Sequence, residues 1–160
     1  SAIIGKKNIM NKSQNSFISS TMWTDRTGFV ASIATLKYMK KNNIQKKLVN
    51  LGKKIKNLWK RCASKTDLKI KISGQDSMPY IKFDYKNNLE ISTFFTQEML
   101  KKNFLAGNLV AVTEAYNEKI IKKYEKECLH VFNKISQILK KKKKFPLKGP
   151  IKHTTFKRLT

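Results

Sequence analysis

Apolar residues recur at helical spacing in two long segments of the chain. In the first segment they step by four, three, four, three and four positions, at Ile44, Leu48, Leu51, Ile55, Leu58 and Cys62. In the second, from about Asn117 to Leu139, one face carries Ile120, Tyr124, Cys128, Val131, Ile135 and Ile138. Because this spacing places the apolar residues on one side, it predicts two amphipathic helices. Gly52 weakens the first of them by up to ~1 kcal/mol relative to alanine.

Two further helices have shorter patterns. One starts near residue 25 or 27 and stops around residues 41–43, with helical spacing at Phe29, Ile33 and Leu36. The other spans about residues 89–103. Asn87, with Glu90 three residues later, resembles a capping box at the start of that helix.

Alternating apolar and polar residues predict two β-strands between positions 68 and 85. The apolar positions are Leu68, Ile70, Ile72, Ile81, Phe83 and Tyr85. Turn-forming residues 73–77 separate the two runs, and the polar positions between the apolar ones favour an antiparallel sheet that is covered on one face. The apolar run 104–113, around Gly107, predicts one or two further short strands.

The predicted order is helix, helix, strand, strand, helix, strand, helix. This order indicates an α/β chain of the α+β layer type, in which a small antiparallel sheet has helices packed on one face. The tail from Phe145 contains Pro146, Gly149 and Pro150, so we expect it to be irregular.

Composition indicates one soluble domain without membrane spans. The chain has 160 residues, of which 40% are hydrophobic, and no run approaches the ~18 apolar residues that a membrane span needs. The first ten residues do not form a signal peptide, so we expect a cytoplasmic protein. Cys62 and Cys128 form no CxxC pair, and without a secretion signal both are expected to be free thiols.

The net charge of +25 raises the alternative of a basic, non-enzymatic module that binds nucleic acid or other polyanions. Arginine occurs only at positions 26, 61 and 158, and the lysines are spread over nearly every segment. A surface that reads phosphates would use more arginine, so specific nucleic-acid binding is not expected. The run Lys140–Lys144 is more typical of a solvated helix end than of a binding site.

Motifs for metal binding and for hydrolysis are missing. Cys128 and His130 lie two positions apart on a predicted helix and therefore point to different faces, so no metal site is expected. No GxSxG, Walker loop or GxGxxG occurs. No catalytic residue is assigned in this chain.

The hydroxyl-rich loop 19–26 lies immediately before the helix that starts near residue 25. Hydroxyls and backbone N–H groups at a helix start can hold a phosphate. The same residues can also act only as a helix cap, with Thr24 or Asp25 in the N-cap position.

Six segments, in chain order, carry a resemblance to a known family. They are SAIIGKKNIM at 1–10, FISSTMWTDRTGFVASIATLKYM at 17–39, KIKISG at 69–74, IKFDY at 81–85, FTQEMLKKNFLAGN at 95–108 and GPIKHTTFKRLT at 149–160. Together these segments resemble class III pyridoxal-phosphate-dependent aminotransferases, in particular glutamate-1-semialdehyde aminomutase-like proteins. The resemblance covers nearly the whole chain but only the C-terminal part of the family. It implies a portion of a fold-type I PLP-dependent transferase, with residues 1–43 from the end of the large domain and its connecting helix, and residues 44–160 as the small domain.

The resemblance also implies a cofactor site, pyridoxal 5′-phosphate (PLP), at the interface of a homodimer. Thr21 matches the threonine that reaches the phosphate of the partner subunit's cofactor, and the N–H of Ser20 beside it can join that contact. The sequence departs from the family's Asn-Pro ending of this motif, which leaves open the roles of Trp23, Asp25 and Arg26.

The family's cofactor lysine and the aspartate that pairs with the pyridine nitrogen should both precede Ser1. Lys6 and Lys7 lie after the family's lysine position, so this chain alone is not expected to catalyse transamination. The intact enzyme would move an amino group from a small-molecule donor to a carbonyl acceptor, or within one molecule. Residues 107–116 occupy the place where relatives line the substrate entrance.

Overall fold

The computed structural model describes residues 4–17, 21–22 and 25–153. The chain divides into two compact units, with the division between Asn42 and Asn43. Helices dominate both units, and the one small sheet of the described residues belongs to the second unit. Within the described residues, no helix is both long enough and apolar enough to cross a membrane.

The first unit contains a short helix and a long one. Helix α1 spans Lys7–Met10 and runs into a 3₁₀ turn at Asn11–Asn15, and helix α2 spans Arg26–Lys41. The sequence predicted α2 but not α1, because a helix of four residues is too short to show a periodic apolar stripe. None of the residues of α2 is buried.

Two long amphipathic helices frame the second unit. Helix α3 spans Ile44–Thr66 and helix α5 spans Glu118–Lys140, and the two pack against each other. Both confirm the predicted apolar stripes, and α3 continues four residues beyond Cys62. The side chain of Asn117 caps α5 by accepting a hydrogen bond of 3.0 Å from the Ile120 N–H.

The sheet is a two-stranded antiparallel hairpin. Strand β1 spans Ile70–Ser73 and strand β2 spans Tyr80–Phe83, with Ile72 opposite Ile81. Ile81 and Phe83 are fully buried, whereas Tyr80 and Lys82 are exposed, so one face of the hairpin is covered and the other is open. The predicted α/β class with a small antiparallel sheet is therefore confirmed.

The predicted strands in residues 104–113 do not form, and this expectation was wrong. This stretch has only an isolated bridge between Tyr80 and Leu109, although Val110 N–H donates to Pro79 O at 3.0 Å and Ile81 N–H donates to Asn108 O at 2.8 Å. The reciprocal bond from residue 79 to Val110 cannot exist because proline has no N–H. The segment thus follows the edge of β2 without extending the ladder.

Helix α4 spans Asn88–Leu100 and lies beside β2. The capping-box interpretation of its start was wrong. The Asn87 side chain donates to the Glu90 carboxylate at 3.1 Å and does not cap a backbone N–H. The N-cap backbone, with φ −92° and ψ 34°, is outside the extended region that a capping side chain normally needs.

Aromatic side chains form the centre of the core of the second unit. The rings of Phe83, Phe95 and Phe132 contact one another, with centroids 5.5–6.0 Å apart. Buried Trp59 donates its indole N–H to the Tyr124 hydroxyl at 3.0 Å. These contacts join α3, α4, α5 and β2 around one core.

Candidate functional site

Thr21 and Met22 are described residues of the hydroxyl-rich loop, as are Asp25 and Arg26 at its end. Thr21 and Met22 are both exposed, and the Asp25 N–H donates to Met22 O at 3.2 Å, which closes a turn directly before α2. Ser20, the second residue predicted to contact a cofactor, lies outside the described residues, as do Trp23 and Thr24.

The start of α2 is capped by the chain itself. Asp25 is the N-cap, and its carboxylate accepts a hydrogen bond of 2.8 Å from the Thr27 N–H. This hydrogen bond lowers the pKa of Asp25, so the carboxylate is ionised at neutral pH. The cap interpretation is thus confirmed for Asp25, which was one of the two cap residues that the sequence suggested.

The cap limits how this loop can hold an anion. Because Asp25 already accepts from Thr27, the first-turn amide that would best suit a phosphate is occupied. The exposed Thr21 hydroxyl, four residues earlier, can still donate a hydrogen bond to a phosphate oxygen. Arg26 is exposed as the first residue of α2 and makes no ion pair within the described part of the chain.

The segment that the sequence placed at a substrate entrance lines a cavity of about 330 Å³ in the second unit. The lining is mostly apolar and includes Phe104, Leu105, Leu109, Tyr116, Ile120 and Tyr124. The Tyr124 hydroxyl is engaged with Trp59, and burial raises its pKa well above the ordinary value. The described lining therefore suits an apolar group, and the Tyr124 hydroxyl does not act as an acid or base near neutral pH.

The two cysteines are free and buried, and they are neighbours. The thiols of Cys62 on α3 and Cys128 on α5 are close enough to influence each other's pKa, and the Cys62 thiol donates to Glu125 O at 3.9 Å. Burial raises the pKa of Cys128. Sequence spacing could not show this proximity, because 65 residues separate the two positions along the chain. Among the described residues, no group of three or more His, Cys, Asp or Glu could hold a metal ion.

Sequence reasoning also missed Asn108, a buried polar residue within an otherwise apolar run. Its side-chain N–H₂ donates to Ile81 O at 2.7 Å and to Ser92 Oγ at 3.2 Å. An asparagine in the run FLAGNLVAV was the available signal, because a buried amide requires hydrogen-bonding partners.

Comparison with known proteins gives a likeness in fold. The sequence matches no family model and no curated protein. The structure is similar to that of the FumI protein of Sphingopyxis sp. MTA144, solved as its PLP internal aldimine form, with a TM-score of 0.76 at 15% identity. The match covers 86% of this chain and 34% of that protein, so the chain spans about a third of its length. The chain therefore shares its fold with part of a PLP-bound protein.

Proposed function

We propose that this chain is the C-terminal part of a PLP-dependent transferase of the class III aminotransferase type. The observation that carries the proposal is the similarity in fold to a PLP-bound protein over 86% of the chain, at a TM-score of 0.76. The ordered sequence segments described above support the same family independently. In this proposal residues 1–43 end the large domain and residues 44–160 form the small domain.

The surface of α2 supports a role within a larger assembly. Phe29, Val30, Ile33 and Leu36 are each more than half exposed, although they recur at the spacing of a buried stripe. Soluble proteins rarely expose several neighbouring large apolar side chains unless another surface covers them. We propose that the rest of the enzyme covers this face, and that the enzyme is a homodimer in the cytoplasm.

The cofactor in this proposal is pyridoxal 5′-phosphate, held in part by this chain. Thr21 would donate its hydroxyl hydrogen to the phosphate of the cofactor bound in the partner subunit, and the backbone N–H of Ser20 would donate beside it. Hydrogen bonds to a charged phosphate are stronger than those between neutral groups, so one exposed threonine can matter. The ionised Asp25 carboxylate at the start of α2 would repel the phosphate, because both groups are negatively charged.

PLP, when bound, supplies the electron sink that makes amino-group transfer possible. No lysine of this chain matches the family's cofactor lysine, so this chain contributes binding and shape, and another segment of the enzyme contributes the amine. The intact enzyme would transfer an amino group between an amino donor and a carbonyl acceptor, or within one molecule as an aminomutase does.

A Thr21→Ala variant tests the proposed cofactor contact. The gene is expressed with the coding sequence that lies upstream of Ser1, and cofactor affinity is measured from the absorbance of bound PLP. We expect affinity to fall about tenfold, because a hydrogen bond to a charged group is lost. Thr35→Ala is the matched control, because the Thr35 hydroxyl is exposed on α2 and, within the described part of the chain, bonds to Ala31 O at 2.8 Å.

Equal PLP affinity in the two variants would remove Thr21 from the cofactor site. An upstream sequence without a lysine in a glycine-rich stretch, together with no PLP binding by the expressed protein, would overturn the proposed function as a whole.

A further inference from the structure

We propose that a polar pocket between β2, the start of α4 and the C-terminal tail binds a small oxyanion, such as a phosphate or a carboxylate group. The pocket has a volume of about 180 Å³, and its lining includes Lys82, Asn88, Ser92, Asn108, Lys152 and His153. This volume is several times the ~30 Å³ that one water molecule occupies in the liquid, so a polyatomic ion fits. The inference concerns a different site from the cofactor loop and does not depend on PLP.

The charges around the pocket favour an anion. Two lysines and a histidine line it, and its described lining contains no aspartate or glutamate. Elsewhere in the second unit, partly buried lysines have carboxylate partners, as Lys56 has Asp76 at 2.8 Å. Lys152 instead bonds to the neutral amide oxygen of Asn108. An anion in the pocket would supply a negative charge that none of the described residues places beside Lys152.

Burial of the Lys152 ammonium gives a second indication. Removal of water by the surrounding residues lowers the pKa of Lys152, with no opposing effect from a carboxylate. A partly buried cation without a counter-charge among the described residues is unfavourable, and a bound anion would relieve that cost. The lowered pKa of Lys152 is therefore consistent with a pocket that binds an oxyanion.

Hydrogen bonds hold the pocket in a defined shape. The Asn108 side-chain N–H₂ donates to Ile81 O and Ser92 Oγ, which turns its oxygen toward Lys152 Nζ. Ser92 Oγ accepts that bond, so its own hydroxyl hydrogen can donate to an anion. The Lys152 backbone N–H donates to Thr93 Oγ1 at 3.0 Å, which fixes the tail against α4.

The start of α4 also borders the pocket, although the first turn of this helix carries the Glu90 carboxylate. Asn88, the first residue of this 13-residue helix, lines the pocket, and the N-terminal end of a helix carries a partial positive charge. The Asn87 side chain makes no capping bond to the first-turn amides. Polar side chains, a half-buried cation and a helix start therefore converge on one cavity.

Anion binding by the 160-residue chain tests the proposal. The chain is titrated with inorganic phosphate and, separately, with acetate, and amide chemical shifts are followed by NMR at constant ionic strength. Because KCl holds the ionic strength constant, general attraction to the net charge of +25 stays the same in all samples. We expect saturable shifts in residues around Asn108 and Lys152. Tighter binding of phosphate would indicate a phosphate site, and tighter binding of acetate a carboxylate site.

Lys152→Met and Lys148→Met form a matched pair for this titration. Both remove one lysine from the same tail, but Lys148 is exposed and its backbone N–H bonds to Gln97 Oε1 through the unchanged main chain. We expect the dissociation constant to rise about ten- to hundredfold in Lys152→Met and to stay unchanged in Lys148→Met.

If Lys152→Met does not fold, Lys82→Met is used instead. Its expected loss of affinity is a few-fold, since Lys82 is exposed. Equal binding by variant and control, or no saturable shifts with either anion, would overturn the proposal.

Discussion

At the scale of single residues, Glu98 shows how a buried carboxylate stays charged. Its side chain is 5% exposed and bonds to Lys101, to Lys134 at 2.8 Å and to Gln97 at 3.3 Å. Burial acts to raise its pKa, but the hydrogen bonds from Lys101, Lys134 and Gln97 outweigh burial and lower the pKa to about 2. The ionised form is thus stabilised by folding.

This lowered pKa predicts acid sensitivity. Because the folded pKa lies below the unfolded value, the stabilisation is present above about pH 4.5 and is lost as pH falls toward 2. We expect Glu98 to account for about 2 kcal/mol of the fall in unfolding free energy between pH 5 and pH 2.5. Urea unfolding at both pH values measures this fall, which Glu98→Gln should reduce. Glu90→Gln, on the same helix, is the control and should show the same decrease in unfolding free energy as the wild type. A wild-type decrease in Glu98→Gln would contradict the prediction.

At the scale of elements, Gly52 decides how closely α3 approaches the turn between β1 and β2. A Cβ at this position would lie 1.4 Å from Asp76 O and 2.5 Å from Asp76 C, which are backbone atoms. One turn further along the helix, the Lys56 ammonium bonds to Gly74 O and to the Asp76 carboxylate, both at 2.8 Å. The glycine that weakens the helix in isolation is therefore required by packing.

Gly52→Ala should destabilise the protein although alanine is the better helix former. The gain in helix propensity of ~1 kcal/mol is smaller than the cost of displacing the turn, and we expect a net loss of about 1–3 kcal/mol. Urea unfolding monitored by circular dichroism measures the change. Gly28→Ala in α2 is the matched control, because a Cβ there meets no atom within 4 Å and should cause no loss. If Gly52→Ala were as stable as Gly28→Ala, the turn would be able to move away from the added Cβ without a loss of unfolding free energy.

At the scale of the whole molecule, the net charge of +25 predicts binding to polyanions without sequence selectivity. Lys141, Lys142, Lys143 and Lys144 are all exposed beyond α5 and add to this potential. We expect the chain to bind unrelated DNA duplexes with equal affinity, and we expect that affinity to fall more than tenfold between about 50 and 200 mM salt. Fluorescence anisotropy measures both. Selective binding that persists at high salt would instead support the alternative of a dedicated nucleic-acid module.

The elements that the sequence predicted correctly are those whose signals are local. The stripes of α3 and α5 repeat over six or more turns, and the Asp25 cap depends on a residue only two positions away. The expectation for residues 104–113 was wrong because strand pairing depends on the partner, and that partner contains Pro79. The start of α4 was misinterpreted because a capping residue also needs a suitable backbone conformation.

The same difference between local and long-range signals separates the two candidate sites. Thr21 was identified from a sequence segment and lies in an exposed turn, where its role as a phosphate contact stays a prediction. The oxyanion pocket could not be predicted from sequence, because it joins residues of β2, α4 and the tail that are up to 73 positions apart. No sequence motif around Asn108 or Lys152 marks either residue as part of a binding site.

By itself, the sequence determined the amphipathic helices, the alternating strands and the excess of positive charge. These depend on the spacing and chemistry of residues that are close along the chain. Only the tertiary structure decided that Gly52 contacts a turn, that Glu98 is ionised between lysines and that Lys152 lies in a pocket whose described lining has no carboxylate. Each of these depends on groups brought together across long loops, whose distances and desolvation are set by packing of the whole core.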